Sequence, residues 1–348
     1  MNAEPFFVLD TSPEACALWF TAPRTVEFRP ERVPPPGPEE VRVRATASAL
    51  SQGTEMLVYR GEVPDALPLD LPTLAGSFGF PIKYGYTTVG SVLDVGVGVE
   101  NLAPGAPVFV HHPHQGLFVV PAKLSVRLPD ELDPLLGLFV ANLETAVNVI
   151  HDTPIRLGET ALVFGQGVLG LLITQLLKIA GAGRVLAVDP LKKRRDLAIV
   201  VGADGALEPD DLPGSILDMT AGRGADVVVE ASGSGTALQA AIDSVVVEGT
   251  VVVASWYGTK PVTLSLGERF HRGRVRLRSS QVGSMSPDLS PRWDRSRRME
   301  TVLDLLPRLR LKELISHRFP FEKAPDAYRL VDKHPGEVVQ VILTYGLT

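Results

Sequence analysis

The sequence predicts an α/β protein in which a doubly wound parallel sheet is joined to a second domain of short β-strands. The chain has 348 residues, about twice the usual length of one domain, so two domains are expected. After about residue 150, near-continuous apolar strands alternate with helical patterns, as in a parallel sheet covered on both faces. The first third is rich in proline and glycine between short strand patterns, which favours a compact β-barrel or sandwich.

The individual elements follow from hydrophobic periodicity. Glu40–Ala47 alternates apolar and polar residues, as a half-buried strand does. Further strands are predicted in the first third at Thr88–Val97, Pro107–Val110, Leu117–Val120 and Leu124–Leu128. The parallel sheet is predicted from strands at Thr160–Phe164, Arg184–Val188, Asp226–Glu230, Thr250–Ala254 and Val275–Arg278, with helices at Val168–Gly181, Leu191–Val201 and Ala237–Val246.

The C-terminal segment suggests how the two domains divide the chain. A helix is predicted at Arg297–Leu309, and the strand pattern Glu337–Tyr345 has no parallel unit to join. We therefore expect this last strand to return to the N-terminal domain. The predicted domains are residues 1–149 with 306–348, and residues 150–305.

Composition excludes several classes of protein. A formal net charge of -6 gives no basic surface for nucleic acid or an anionic membrane. The single cysteine, Cys16, excludes an intrachain disulfide and a cysteine-rich zinc site.

The N-terminal MNAEPFFVLD does not resemble a signal peptide, so we expect a cytoplasmic protein. The uncharged segment Thr160–Leu177 has three glycines between residues 165 and 170, which favours a buried strand, loop and helix over a membrane span.

A glycine-rich turn predicts dinucleotide binding. Residues 165–170, GQGVLG, follow a strand and open a helix. Gly165 permits a tight turn, Gly167 lets the backbone approach a diphosphate, and Gly170 lets helix and strand pack closely. The amides and the helix dipole then favour the bound anion. We predict that Gln166 and Val168 also contact the cofactor.

Asp189 closes the second strand of this unit, where an acidic side chain binds ribose hydroxyls. It would repel the 2′-phosphate of NADP, so NAD is the predicted cofactor. Lys193 and Arg194 follow it. Either they hold a 2′-phosphate, which keeps NADP open, or they are solvated residues of a helix surface, which is the interpretation we favour.

In these motifs the chain resembles the medium-chain dehydrogenase/reductase superfamily over nearly its full length. The resemblance lies in VRVRATASALSQGTEMLVYRG, PIKYGYTTVGSVLDVG, LAPGAPVFV, ETALVFGQGVLGLL, RVLAVDPLKKRRDLA and GADVVVEASGSG. It implies an N-terminal barrel similar to the chaperonin-10 fold, a Rossmann domain and an active site in the cleft between them. It also implies cofactor contacts from Thr145, on the nicotinamide side, and from Ser232.

Many members of this superfamily bind a catalytic zinc through Cys-Gly-x-Asp, Gly-His-Glu and a later cysteine or acidic residue. This sequence has Gln52-Gly53-Thr54-Glu55 and Gly85-Tyr86-Thr87 at the first two places, and no cysteine or histidine between 128 and 150. Glutamine and tyrosine are poor zinc ligands. We therefore predict that no zinc is bound.

The residues that would overturn this prediction are Glu55, Glu144 and the histidines of the HHPH loop, His111, His112 and His114. The spacing of these histidines matches no zinc motif, and we interpret them as partly exposed polar groups of a loop. The stretch Gly53–Glu55 is similar to the zinc-less branch typified by bacteriochlorophyllide a dehydrogenase, which also holds alcohol dehydrogenases of unassigned substrate.

Without zinc, hydrogen-bond donors must polarise the substrate oxygen. Thr54 matches the hydroxyl residue that begins the proton relay in the family, and Tyr86 occupies a former ligand position. A phenol of pKa near 10 acts as an acid towards a ketone or, if its pKa is depressed, as a base; alternatively, Tyr86 only fills the space left by the metal. Glu55 either orients a histidine or Tyr86, or caps a helix at Met56–Tyr59.

The predicted function is reversible alcohol/carbonyl oxidoreduction without zinc, on a small and hydrophobic substrate. The alternatives are an enone or quinone reductase, and a dinucleotide-binding sensor without turnover. Trp256 follows the fifth parallel strand and either walls the nicotinamide pocket or fills the seam between the domains. The strand near Val275–Ser280 closes the sheet edge, where the resemblance implies a homodimer.

Overall fold

The computed structural model describes residues 16–69, 73–74, 76–212 and 214–346. The prediction about a signal peptide concerns residues 1–10, which lie outside these described ranges. Part of the loop between Val63 and Pro81 also lies outside them.

The described strands and helices alternate as the sequence patterns predict after residue 150. The strands are β1 (Cys16–Ala22), β2 (Thr25–Pro30), β3 (Glu40–Leu50), β4 (Ile82–Lys83), β5 (Thr88–Val95), β6 (Pro107–Val110), β7 (Leu117–Pro121), β8 (Ser125–Arg127), β9 (Thr160–Phe164), β10 (Arg184–Val188), β11 (Gly205–Leu207), β12 (Ala225–Glu230), β13 (Val245–Val253), β14 (Arg276–Ser279), β15 (Ile315–Pro320) and β16 (Gln340–Thr344). The α-helices are α1 (Thr54–Arg60), α2 (Val140–Asp152), α3 (Val168–Ile179), α4 (Lys192–Val200), α5 (Gly214–Met219), α6 (Gly235–Ser244), α7 (Arg269–Arg272), α8 (Arg295–Leu305) and α9 (Ala324–Lys333).

Six parallel strands form the Rossmann sheet in the order β11-β10-β9-β12-β13-β14. Every residue of β9 is buried, which explains its continuous apolar sequence. The strand order reverses between β9 and β12. In doubly wound sheets, ligands bind outside the carboxyl ends of the strands at this reversal. The predicted fold class is confirmed.

The N-terminal strands form a largely antiparallel sheet in the order β15-β16-β3-β5-β6-β8, with β7 paired to β3 and a small sheet β2-β1-β4 beside it. Burial alternates along most of β3, as its sequence predicts. The last strand, β16, pairs antiparallel with β3, so the predicted return of the C-terminal strand is correct.

Several predicted helix boundaries are wrong, among them those of α6 and α8. Helix α6 ends at Ser244 rather than Val246, because the β-branched residues that begin with Val245 start strand β13. Helix α8 begins two residues earlier than predicted, where Asp294 caps it by accepting a hydrogen bond from the amide of Arg297 at 2.8 Å. It ends at Leu305 and a 3-10 turn containing a proline follows.

Apolar helices pack across the seam between the two sheets. The segment Thr160–Leu177 forms β9 and most of α3, as predicted, and does not form one continuous helix. The helical segment Pro134–Asp152 is long and apolar enough to cross a membrane by composition, but most of it is buried within the protein. The proposed boundary between residues 149 and 150 lies inside α2.

Candidate active site

The glycine turn after β9 has the geometry that its sequence predicts. Gly165 has φ +85°, and a Cβ there would lie 2.7 Å from the backbone of Ser232. A Cβ on Gly170 would lie 1.8 Å from the carbonyl oxygen of Gly165. Only glycine fits either position, because the turn is left-handed at the first and helix α3 packs on the turn at the second.

Gly167 has a different environment from its two neighbours in the motif. Nothing lies within 4 Å of a Cβ built on it. It caps α3, and among the residues that the structure describes no side chain caps the first amides of the helix, which include that of Val168. This end of the helix therefore combines open space with free donors, the arrangement that binds a diphosphate.

Gln166 is fully buried, and its side chain faces the Rossmann core. Its Nε2 donates to the carbonyl of Val163 at 3.0 Å, and its Oε1 accepts from Thr174 at 3.1 Å. Its backbone amide donates to Oδ2 of Asp189 at 2.7 Å. A contact between Gln166 and a cofactor would thus involve the backbone, while the side chain fixes the turn.

Asp189 lies directly after β10, beside the glycine turn. Its Oδ1 accepts from the amide of Leu191 at 2.9 Å, in addition to the bond from Gln166. Both carboxylate oxygens are therefore held by backbone amides, and the side chain is orientated at the carboxyl edge of the sheet. This is the position from which an acid reaches ribose hydroxyls.

The interpretation of Arg194 as a solvated helix residue is wrong, whereas Lys193 is exposed, as that interpretation expects. Arg194 donates to Oε1 of Gln52 at 3.1 Å and to the carbonyl of Pro335 at 2.8 Å, and its guanidinium lies 3.9 Å from Asp189. Lys193 donates to the carbonyl of Glu337 at 2.7 Å. Both side chains reach across the cleft because β16 returns to the barrel and brings the preceding loop opposite α4.

The buried Nε of Arg194 has no hydrogen-bond partner within the described part of the chain. The guanidinium of Arg194 also lies 3.9 Å from the carboxylate of Asp189, next to the glycine turn. A ribose has both hydrogen-bond donors and acceptors, so its hydroxyls fit this pair of groups.

Ser232 lies in the loop after β12 and is held by a buried acid. Oε1 of Glu230 accepts from the amide and the hydroxyl of Ser232, both at 2.6 Å. Oε2 of Glu230 accepts from the hydroxyl of Tyr257 at 2.8 Å. Because Gly165 contacts this loop directly, Glu230 fixes one wall of the predicted cofactor groove. Nothing in the sequence pattern indicates this role of Glu230.

Trp256 lies in the neighbouring loop after β13. It is 41% exposed, and its ring centroid lies 6.1 Å from that of Phe78, in the N-terminal domain. Two residues later, the backbone of Gly258 approaches the carbonyl of Glu62 so closely that a Cβ would lie 2.8 Å from it. These contacts favour the interpretation that Trp256 lies in the seam between the domains.

The predicted catalytic hydroxyls of Thr54 and Tyr86 lie together. The phenol of Tyr86 donates to Oγ of Ser51 at 2.6 Å, and the Thr54 side chain is near enough to lower its pKa. Burial raises the pKa of Tyr86 to about 12, and the nearby Glu55 raises it further, against the lowering effect of the two hydroxyls. The phenol is therefore a proton donor at neutral pH, and its use as a base through a depressed pKa is not supported.

Glu55 orients a histidine, which was one of its two predicted roles. Its Oε1 lies 2.9 Å from Nε2 of His114 and accepts from the hydroxyl of Tyr328, while its Oε2 accepts from the amide of Ser51 at 3.1 Å. The helix-capping alternative is wrong, because α1 begins at Thr54 and its N-cap is Gly53. Glu55 thus holds the backbone of the residue that accepts from Tyr86.

The hydrogen bonds continue from His114 through the barrel. Nδ1 of His114 lies 2.7 Å from Oγ of Ser48, which lies 2.9 Å from the hydroxyl of Tyr345. Gly85 makes room for the imidazole: it has φ +122°, and a Cβ there would lie 2.9 Å from the ring. Sequence reasoning missed Ser48, Ser51, Tyr328 and Tyr345 as part of this network.

The interpretation of the HHPH histidines as partly exposed loop residues is wrong for two of the three. His114 is fully buried and His112 is 6% exposed. The ring of His112 stacks on Phe118 with centroids 3.7 Å apart, and burial lowers its pKa to about 3. His111 remains partly accessible, with its Nδ1 3.2 Å from the carbonyl oxygen of Tyr86. The loop is buried because it lies between β1 and the Gly85 turn.

Thr145 and Glu144 lie on α2, facing different partners. Thr145 is half-buried and donates to the carbonyl of Ala141 at 3.1 Å. Oε1 of Glu144 accepts from Nε of Arg298 at 3.1 Å and from its Nη2 at 2.7 Å. Arg298 is 2% exposed and comes from α8, so this ion pair ties α8 to α2.

Comparison with known proteins assigns the chain to a family. A family model described as zinc-binding dehydrogenase matches residues 168–305. The chain is 28% identical over 327 residues to D-guloside 3-dehydrogenase of Escherichia coli (strain K12), covering 88% of this chain and 93% of that protein. It is 32% identical over 235 residues to (R,R)-butanediol dehydrogenase of Bacillus subtilis (strain 168), covering 59% of this chain and 67% of that protein.

The chain belongs to the medium-chain dehydrogenase/reductase superfamily. It is an oxidoreductase. Solved structures share its fold: one from Sinorhizobium meliloti 1021, bound to NADP, has a TM-score of 0.76 at 22% identity, covering 94% of this chain and 98% of that one. An alcohol dehydrogenase of Escherichia coli CFT073, complexed with NADH, has a TM-score of 0.78 at 20% identity with the same coverage.

The zinc-ligand positions of this medium-chain dehydrogenase do not fit the metal. Both polar atoms of Gln52 are engaged, since Nε2 donates to Val339 at 2.7 Å and Oε1 accepts from Arg194. The hydroxyl of Tyr86 is engaged with Ser51, and Glu144 is paired with a guanidinium. Throughout the described ranges, no three side chains of His, Cys, Asp or Glu converge as a metal site.

Proposed function

We propose that this medium-chain dehydrogenase interconverts an alcohol and a ketone or aldehyde by hydride transfer to or from NAD(P), without zinc. The observation that carries the zinc-free part is the hydrogen bond of 2.6 Å from Tyr86 to Ser51, with Thr54 beside them. A hydroxyl cluster thus occupies the position at which zinc-dependent relatives hold a ligand. The similarity to D-guloside 3-dehydrogenase and (R,R)-butanediol dehydrogenase supports alcohol oxidation over enone or quinone reduction.

The bound nicotinamide supplies the hydride chemistry, and the protein must orient the substrate and handle one proton. In the reducing direction, Tyr86 donates its hydrogen bond to the carbonyl oxygen and polarises it. Its raised pKa keeps the proton on the phenol until negative charge develops on the substrate oxygen. Ser51 and Thr54 then stabilise the phenolate, because a hydroxyl can turn to donate after it has accepted.

The cofactor groove favours NAD within this proposal. The carboxylate of Asp189 would repel a 2′-phosphate on the ribose. The guanidinium of Arg194 lies 3.9 Å from this carboxylate. The two similar structures contain NADP and NADH respectively, so they favour neither form. NADP therefore remains the alternative, and Arg194 is the residue that would hold its phosphate.

Activity with a panel of alcohols and NAD+ tests the proposal, together with metal analysis of the same preparation. We expect oxidation of secondary alcohols by protein that contains no stoichiometric zinc, and no loss of activity after treatment with a chelator. Zinc at one equivalent with chelator-sensitive activity would contradict the zinc-free mechanism. Reduction of enones or quinones but not ketones would contradict the reaction type.

We also propose a homodimer. Strand β14 is the outermost strand of the Rossmann sheet, and its Leu277 is 41% exposed. An exposed edge strand leaves backbone donors and acceptors unpaired, and pairing with a second copy would satisfy them.

A further inference from the structure

Arg298 is a fully buried arginine that the mechanism proposed above does not use. It lies on α8 and is 2% exposed. Its Nη1 donates to Oδ1 of Asn148 at 2.8 Å, and its Nη2 donates to the carbonyl of Val282 at 2.9 Å. Its Nε and Nη2 also donate to Oε1 of Glu144. A buried guanidinium is stable only when its donors are paired, and all three nitrogens of this one have acceptors.

Side chains of α2 hold the same stretch of backbone that the arginine contacts. Nδ2 of Asn148 donates to the carbonyl of Gln281 at 3.3 Å. Asp152, one turn further along the helix, accepts from the hydroxyl of Ser280 at 2.7 Å. Residues 280–282, called the β14 segment below because they follow that strand, are therefore held at three successive positions by buried side chains of two helices.

The β14 segment lies at the carboxyl edge of the Rossmann sheet. The amide of Ser280 donates to the carbonyl of Val253, the last residue of β13, at 2.9 Å. Asp189 follows β10 and the glycine turn follows β9, so the ribose and diphosphate positions occupy one half of this edge. The strand order puts β12, β13 and β14 in the other half. The remaining part of a dinucleotide therefore extends towards the β14 segment.

The partner of the arginine also approaches the hydroxyl cluster. The second carboxylate oxygen of Glu144, Oε2, lies 3.9 Å from Nε2 of His111. Nδ1 of His111 in turn lies 3.2 Å from the carbonyl oxygen of Tyr86. One buried guanidinium is thus connected by side-chain contacts both to the backbone of the proposed proton donor and to the β14 segment.

We propose that Arg298 is a positioning residue for the nicotinamide end of the cofactor. It fixes the β14 segment against α2, so that the ring is held in one orientation relative to Tyr86. A planar guanidinium meets three acceptors at fixed angles, which an ammonium on a flexible stem does not. The inference rests on the proposed use of NAD(P) and deepens it, because it names the group that aligns the ring with the proton donor.

Calorimetry with NADH and ADP-ribose tests this role, because ADP-ribose contains every part of the coenzyme except the nicotinamide. Arg298→Lys keeps the charge but loses the planar fork. In this variant the Kd for NADH should rise about tenfold relative to the Kd for ADP-ribose, a change that one hydrogen bond accounts for. A purely structural role would weaken the binding of both ligands alike.

Asn148→Ala provides a second variant in which the guanidinium itself is kept. It removes the contact with the carbonyl of Gln281, so it should change the ratio of the two Kd values in the same direction. Thermal unfolding checks that each variant is folded. If Arg298→Lys does not fold, the ratio in Asn148→Ala decides the question alone.

Arg297→Lys is the matched control, because it makes the same substitution one position earlier in α8. Arg297 is exposed and its guanidinium lies over the ring of Trp293. This variant should leave both Kd values unchanged. A ratio that changes as much in Arg297→Lys as in Arg298→Lys would overturn the positioning role.

The remaining outcomes distinguish the two proposals. If the wild-type protein binds neither NADH nor ADP-ribose, the proposed function fails and the inference fails with it. If the wild type binds both ligands, and Arg298→Lys and Asn148→Ala keep the wild-type ratio of the two Kd values, only the positioning role is overturned.

Discussion

The phenol of Tyr86 and the hydroxyl of Ser51 are joined by a hydrogen bond of 2.6 Å, although 35 positions separate them in the chain. Ser51 follows β3 directly, and Tyr86 lies just before β5, its antiparallel neighbour. The end of this pair of strands therefore presents two hydroxyls to the cleft. Chemistry at this point depends on which of the two hydroxyls donates its proton to the substrate oxygen.

Tyr86→Phe removes that proton while keeping the ring. We expect kcat to fall by about 100- to 10,000-fold, the usual range for loss of a general acid, with little change in NADH binding. Tyr84→Phe is the matched control, since this neighbouring phenol is 2% exposed and belongs to the packed core. Because the pKa of Tyr86 is about 12, the pH profile of kcat should show no basic limb from it below pH 10. Wild-type kcat in the Phe variant would show that Tyr86 only fills space.

Alanine at Gly165 and at Gly167 should have separable effects. In Gly165→Ala, alanine must adopt a left-handed conformation and its Cβ collides with the backbone of Ser232. The unfavourable φ alone should lower the free energy of unfolding by about 1–3 kcal/mol, and cofactor binding should be lost. Gly167→Ala adds a methyl group to open space, so thermal stability should persist while the Kd for NADH rises. Calorimetry and thermal melts distinguish them. Unchanged NADH affinity in both variants would remove the turn from the cofactor site.

Replacing Asp189 should alter the choice between the two cofactors. In Asp189→Ala the repulsion of a 2′-phosphate is gone, so the ratio of kcat/KM for NAD to that for NADP should fall by at least about tenfold. Asp196→Ala, an exposed acid on the same helix surface as Lys192, should leave the ratio unchanged. An unchanged ratio in the Asp189 variant would place the ribose elsewhere.

The acid stability of the fold should depend on His112. Its pKa is lowered to about 3, chiefly by burial and in addition by Lys83 and His114, against a value of 6.5 when unfolded. Between these values the unfolded chain binds the proton and the folded chain does not, so stability is full above pH 6.5 and decreases as pH falls. Between pH 7 and 5 this amounts to about 2 kcal/mol. Urea denaturation at pH 7 and pH 5 measures this effect. The free energy of unfolding should fall less in His112→Phe than in the wild type, by that amount. An equal fall in both proteins would exclude the histidine as the cause.

The exposed edge of β14 predicts that the protein is a dimer in solution. Light scattering should give about twice the chain mass of 37.4 kDa. Leu277→Asp introduces a charge at the proposed contact and should yield the monomer, whereas Leu157→Asp, at a side chain 90% exposed in the loop before β9, should not. A monomeric wild type would refute the proposal.

Sequence reasoning was most accurate where function depends on local backbone geometry. The conformation of Gly165 and the packing at Gly170 follow from spacing within six residues, and the parallel strands follow from continuous apolar runs. Thr54 and Tyr86 were both identified as catalytic candidates by position in the family pattern. Whether they perform that role is still a prediction.

The polar network behind them could not be predicted in the same way. Glu55, His114 and Tyr328 come from a helix, a loop and a second helix, and they meet only when the barrel has closed. A histidine in a polar loop sequence is usually exposed, and nothing local indicates that Gly85 leaves space for this one. Likewise, the contacts of Arg194 depend on the returning C-terminal segment, which lies far away in sequence.

The position of β16 has a consequence for synthesis on the ribosome. Strand β3 pairs with β16, and Leu50 and Gln340, which are hydrogen-bonded, are 290 positions apart. The C-terminal end of β3, residues 47–50, therefore stays without this partner until almost the whole chain has emerged, while the Rossmann strands can already assemble. The nascent barrel would be the part that depends on chaperones, because an unpaired strand edge invites association with other chains.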